Sequence, residues 1–95
     1  MIVRFVKLEI LPQHIKDFKQ LTAGEKPQIL AFPGCSHLEI LQDVKNPSLF
    51  FTVSHWDSEA SLNHYRNSDF FQGNWHTVKQ WFAAKPEAWS LAETP

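Results

Sequence analysis

The chain contains a single cysteine, Cys35, so no internal disulfide can form and a reducing compartment suits it. It has no basic run. Lys and Arg number 9 against 10 Asp and Glu, interspersed, leaving no stripe to neutralise phosphates and no case for nucleic acid as a partner. No apolar stretch approaches a membrane span. The segment from Met1 to Lys7 is too polar for a signal peptide, and the expected location is the cytoplasm. The five histidines, His14, His37, His55, His64 and His76, show no HExxH, HxH or Cys/His spacing, which leaves no expected metal site. Ser54 and Ser58 lack a nucleophile motif, and Cys35 has neither a basic neighbour nor a partner thiol. Repeats, low-complexity tracts and linkers are also missing, so residues 1–95 read as one domain.

What is abundant is aromatic: eight Phe, four Trp and one Tyr bring aromatic content to 14%. Such side chains are large apolar surfaces that must be covered somewhere. A chain of this mass buries roughly 65% of its extended-state surface, enough for a core without cross-links.

Residues 2–10 alternate as a strand, with Ile2, Arg4, Val6, Leu8 and Ile10 on one face and Val3, Phe5, Lys7 and Glu9 on the other. Pro12 suits the first turn of a helix carrying Ile15, Phe18 and Leu21 or Thr22. Gly24 and Pro27 predict that this helix ends near Ala23, with a short further turn over residues 29–31. A strand over residues 35–42 sets Leu38 and Ile40 against His37 and Glu39, and Asn46-Pro47 marks a hairpin turn. The third strand, residues 49–56, has Leu49, Phe51, Val53 and His55 on one side and Phe50, Thr52, Ser54 and Trp56 on the other. Asp57-Ser58 caps a short helix, and Asn67-Ser68-Asp69 ends it and caps the next. In that helix Phe71, Trp75, Val78 and Phe82 form an apolar stripe, closed by Lys85-Pro86. A last strand fits residues 88–93, with Trp89 and Leu91 on one side.

The order β-α-β-β-α-β predicts an α+β, ferredoxin-like fold: a four-stranded antiparallel sheet with its helices on one face. The other face then carries Val3, Phe5, Phe51 and Val53, where a solvated face should be polar. Its simplest cover is the same face of a second copy, so a homodimer is expected.

The segment from Ser54 to Leu91 resembles the second half of antibiotic biosynthesis monooxygenase domains. A Trp ends a strand, a Ser-rich cap and a short helix with Ala60 and Leu62 follow, and His64-Tyr65 precedes the Ser68 break. The first half agrees: a strand, a helix with Phe18, then Pro33-Gly34-Cys35 leading into Leu38-Glu39. The resemblance implies a dimeric α+β barrel with a pocket between sheet and helices. It also implies oxidation of a small aromatic or quinol-like substrate by molecular oxygen without metal or flavin cofactor. That chemistry needs an apolar cavity, a base and donors for an oxyanion. Within this picture His64 is a candidate base and Tyr65 a candidate donor. Arg4 is a candidate cationic anchor, and the expected pocket is lined by Arg4, Val6, Phe18, Trp56, Phe71 and Trp75. The plain alternatives are that each histidine is exposed or locally hydrogen-bonded, that Arg4 snorkels or pairs with a carboxylate, and that the Phe71 stripe is core. His37 and Glu39 share a strand face and read equally well as interface contacts.

Two other functions stay open: a ligand-binding or stress-associated dimer without catalysis, and a haem-binding or haem-degrading variant. The haem-degrading branch uses Asn, Trp and His where this chain has Val6, Tyr65 and Trp75. His76 lies one residue beyond the ligand place, turned by about 100° on a helix.

Overall fold

The computed structural model describes residues 1–95. Strand β1 (Ile2–Glu9) leads through a 3-10 turn at Pro12–His14 into helix α1 (Ile15–Leu30). Strands β2 (Cys35–Gln42) and β3 (Leu49–Trp56) form a hairpin, followed by α2 (Glu59–Arg66) and α3 (Asp69–Val78). A 3-10 turn at Lys79–Trp81 precedes β4 (Glu87–Leu91). The four-stranded sheet has the order β2-β3-β1-β4 with every neighbouring pair antiparallel, so the fold is ferredoxin-like. Ser58 and Ser68 cap α2 and α3, each hydroxyl accepting from a backbone N–H of the first turn (Ser61 and Phe71).

Three boundaries differ from the sequence expectation. Helix α1 does not stop near Ala23; it runs unbroken through Gly24 and Pro27 to Leu30. Phe18, Thr22, Glu25 and Ile29 recur on one face, and burial of Phe18, Thr22 and Ile29 outweighs the hydrogen bond that Pro27 removes. Helix α3 ends at Val78, and Phe82 bridges to Ile10 in extended conformation instead of continuing the stripe. Strand β4 starts one residue early, with Glu87 opposite Lys7.

The helix-facing row of β3 reads Phe50, Thr52, Ser54, Trp56: large, small, small, large. The two large residues seed separate clusters. Phe50 joins Leu8, Ile10, Phe18 and Val78 at one end, while Trp56 joins Ile29, Leu38 and Leu62 at the other. Between them the small residues leave room. The outer sheet face carries Phe5 edge-on to both Phe51 (5.4 Å) and Trp89 (6.2 Å).

Gly34 makes the turn into β2 at φ +88°, and its carbonyl accepts from the Asp57 N–H at 2.9 Å, tying β2 to the end of β3. A Cβ there would collide with Asp57 Oδ1 and Ser61 Oγ. Gly34→Ala is therefore expected to cost about 2–4 kcal/mol from backbone strain and overpacking together. Urea unfolding would register this as a lower midpoint at unchanged slope.

Candidate active site

The gap between the two clusters is a cavity of about 510 Å³, within the range typical of small-molecule sites. Its floor is the middle of the sheet: Val6 and Leu8 from β1, Leu38 and Ile40 from β2, Thr52 and Ser54 from β3. Phe18 and Ile29 of α1 and Leu62 of α2 close the roof with Phe71, Trp75 and Val78 of α3. One wall is an aromatic chain. Tyr65 stands edge-on to Phe71 at 5.1 Å, and Phe71 stacks on Trp75 at 5.8 Å and 10°. These rings offer flat apolar surface to a planar ligand.

Trp56 stands behind this wall and does not form part of it. It is fully buried, stacks on the back of Tyr65 at 5.0 Å, and donates its indole N–H to Ser54 Oγ at 2.9 Å. The expectation that Trp56 lines the pocket fails because its ring fills the core beneath Tyr65. Arg4, Val6, Phe18, Tyr65, Phe71 and Trp75 do lie on the cavity wall.

His64 is exposed on α2 and points away, 6.3 Å from the Phe32 ring. It is next to Tyr65 in sequence, and that adjacency turns it about 100° around the helix. No histidine lines the cavity; His76, the nearest to a haem-ligand place, is exposed on α3. His37 lies on the outer sheet face, with Nε2 2.7 Å from Glu39 Oε1 and its ring against His55 at 4.9 Å. No group of three His, Cys, Asp or Glu side chains is placed to hold a metal ion.

The polar groups of the cavity come from residues mostly absent from the sequence expectation. Glu25 projects from the buried face of α1, and Asn74 from α3; both are on the wall. Glu25 Oε1 and Asn74 Nδ2 are buried without any hydrogen-bond partner in the protein. Burial pushes the Glu25 carboxyl up to about 7, so it exchanges its proton near neutrality. Burial also raises the Tyr65 hydroxyl, with the Glu25 and Cys35 charges adding to the shift, and keeps it a neutral donor. Arg4 donates from Nη1 to Ser90 Oγ at 3.0 Å across the β1–β4 pair. Neither Arg4 nor the neighbouring Arg66, also on the wall, has a carboxylate ion-pair partner. Partial burial, followed by the repulsion of Arg66, lowers the Arg4 guanidinium from its ordinary value.

An apolar cavity under a ferredoxin-like sheet, with an aromatic wall and a few convergent polar groups, has the form of a small-molecule pocket on an α+β fold. The antibiotic biosynthesis monooxygenase profile matches residues 1–76, and the chain belongs to that family. A solved structure described as an antibiotic biosynthesis monooxygenase superposes with a TM-score of 0.93 at 17% identity, covering 100% of both chains. A conserved protein from Methanosarcina mazei Go1 gives 0.92 at 21% identity, over 99% of this chain and 94% of that one. A Mycobacterium tuberculosis protein gives 0.90 at 13% identity, over 99% and 95%. At such identities the likeness is one of fold. No curated protein matches the chain.

Proposed function

We propose that this protein is a monooxygenase that oxidises a small aromatic, quinol-like substrate with molecular oxygen and no metal or flavin cofactor. The observation that carries the reading is the cavity itself, apolar and aromatic-walled, with ionisable groups confined to a few points. Family membership supports the reaction class. In a balanced turnover a hydroquinone and O2 give a hydroxyquinone and water: one oxygen atom enters the ring, and the substrate supplies all four electrons. The protein's task is to hold the ring, accept a proton from its hydroxyl and stabilise the oxyanion while water is excluded. Tyr65 is the proposed neutral donor to that oxyanion, and Arg4 the proposed cationic anchor. Oxygen uptake with hydroquinones, anthrones and dihydroxynaphthalenes, in chelator and against heat-denatured protein, tests the reading. Uptake above the control is expected. Quenching of Trp fluorescence by these compounds without uptake would overturn catalysis in favour of a binding module.

The working form is proposed to be a homodimer closed through the outer sheet face. Val3, Phe5, Phe51 and Val53 are only half-buried there, and Trp89 and Leu91 are 43% and 45% exposed on the same face. Light scattering is expected to give twice the chain mass for the wild type. Phe5→Glu would place a charge at the centre of that face and is expected to weaken association at least about 100-fold. A monomeric wild type would refute the assembly.

A further inference from the structure

We propose that Glu25 is the proton-accepting residue of the cavity and that Asn74 works with it, so that the site selects an aromatic bearing a ring hydroxyl and a second ring oxygen. The inference rests on reading the cavity as the substrate site, and it deepens that reading by naming the groups that recognise the ligand.

The argument begins with hydrogen-bond accounting. A buried polar atom without a partner costs free energy, and native folds leave few of them. Here the only two such side-chain atoms, one acceptor (Glu25 Oε1) and one donor (Asn74 Nδ2), belong to residues on the wall of one cavity. Neither is an accident of a frayed surface: Glu25 occupies the inward face of α1 between Thr22 and Ile29, and Asn74 sits beside Trp75 in α3. Both residues line the cavity, and an unpaired acceptor and an unpaired donor there are complementary to a ligand that donates at one point and accepts at another. A ring hydroxyl supplies the first, and a neighbouring hydroxyl or carbonyl oxygen the second. Aromatic faces at Tyr65, Phe71 and Trp75 supply the stacking surface such a ring requires.

The chemistry follows from the charge environment. Tyr65 on α2 feels the charge of Glu25 directly, and the other charged groups on the cavity wall are Arg4 on β1, Arg66 on α2 and Glu87 at the start of β4. Arg4 and Arg66, free of carboxylate partners, favour an anion within the cavity. Tyr65 stays neutral and donates. The proton step balances simply: the hydroxyl O–H bond breaks, its proton passes to a Glu25 carboxylate oxygen, and the ligand keeps the electron pair as an oxyanion. A carboxyl titrating close to neutrality is suited to both halves of such an exchange.

The test uses wild type and Glu25→Gln, with 1-naphthol and 1-methoxynaphthalene as binding probes read by Trp fluorescence, and 1,4-dihydroxynaphthalene as substrate for oxygen uptake. Wild type is expected to prefer the naphthol by about tenfold or more, as a hydrogen bond to a charged acceptor implies. That preference is expected to grow between about pH 6 and pH 8 as Glu25 ionises. In Glu25→Gln it is expected to fall towards unity and lose its pH dependence, while affinity for the methyl ether stays within about threefold. Oxygen uptake is expected to drop about 100-fold or more in kcat, with KM rising by up to about tenfold as the hydroxyl contact is lost. A variant that keeps the hydroxyl preference, or a wild type that binds neither probe, overturns the assignment of Glu25. A Glu25-dependent preference without oxygen uptake by the wild type would leave that assignment standing and remove the monooxygenase reading alone.

Discussion

Replacing Trp56 with Ala is expected to lower stability by about 3–5 kcal/mol, the usual cost of truncating a fully buried Trp. No other side chain of its size is so completely enclosed; it is the largest of the three that are essentially inaccessible. The loss has three parts. The indole leaves the cluster of Ile29, Leu38 and Leu62, Tyr65 loses the ring stacked on its back, and buried Ser54 loses its donor. For a chain of this length the drop corresponds to a fall in Tm of roughly 12–40 °C, a large part of total stability. Trp56→Phe keeps a ring against Tyr65 and is expected to recover about half of the loss. Thermal unfolding by circular dichroism measures both. Because Trp56 stands behind the wall, Trp56→Phe is also expected to bind 1-naphthol normally, whereas Trp75→Ala removes wall surface and weakens binding.

The second large effect has the opposite sign. Burial holds the Glu25 carboxyl at about 7 in the folded protein against 4.5 in its ordinary state. Between those values the unfolded chain has released its proton while the folded chain still holds it. Stability from this group is therefore fully present below about pH 4.5, declines as pH rises, and is lost above about pH 7. Glu25→Gln removes the titration. It is expected to match wild type near pH 4.5 and to exceed it at pH 8 by about 1–2 kcal/mol, a figure discounted for the partial exposure of the side chain. The corresponding gain in Tm is about 4–16 °C. Paired urea titrations across this range measure the difference. A constant difference from pH 4.5 to pH 8 would mean that Glu25 does not titrate there, contradicting the effect of its burial. Stabilisation on removing a group, coupled to loss of function, is the pattern of a residue kept for its chemistry.

Much of this architecture is legible in the sequence because two signals agree along most of the chain. Strand-forming runs bounded by turn residues give β2 and β3 at their observed limits, and Ser58 and Ser68 announce the starts of α2 and α3. The unusual outer face is equally visible, since Val3, Phe5, Phe51 and Val53 stand where polar residues belong. Local rules fail where tertiary packing overrides them. Gly24 and Pro27 signal a helix end, yet the buried face of Phe18, Thr22 and Ile29 carries α1 through both.

That one misjudged boundary also hides the most consequential polar residue of the cavity. Glu25 falls at helical spacing with Phe18, Thr22 and Ile29, but only if the helix continues past Ala23. The cavity has its own trace in the sequence, the small Thr52 and Ser54 set between Phe50 and Trp56 on the inward row of β3. Asn74 leaves a weaker one: at i+3 from Phe71 and i−4 from Val78 it is the polar residue on the apolar stripe of α3. His64 attracts notice through its chemistry, but adjacency to Tyr65 on a helix turns it to solvent. Trp56 marks the strand end correctly, while its depth in the core is a property of the assembled fold.

The most direct test of the central claim is mass spectrometry of the product formed from 1,4-dihydroxynaphthalene under 18O2 in the presence of chelator. Monooxygenation predicts one labelled oxygen atom in the hydroxyquinone product and the other in water. An unlabelled quinone, formed as oxygen is reduced to peroxide, would contradict it.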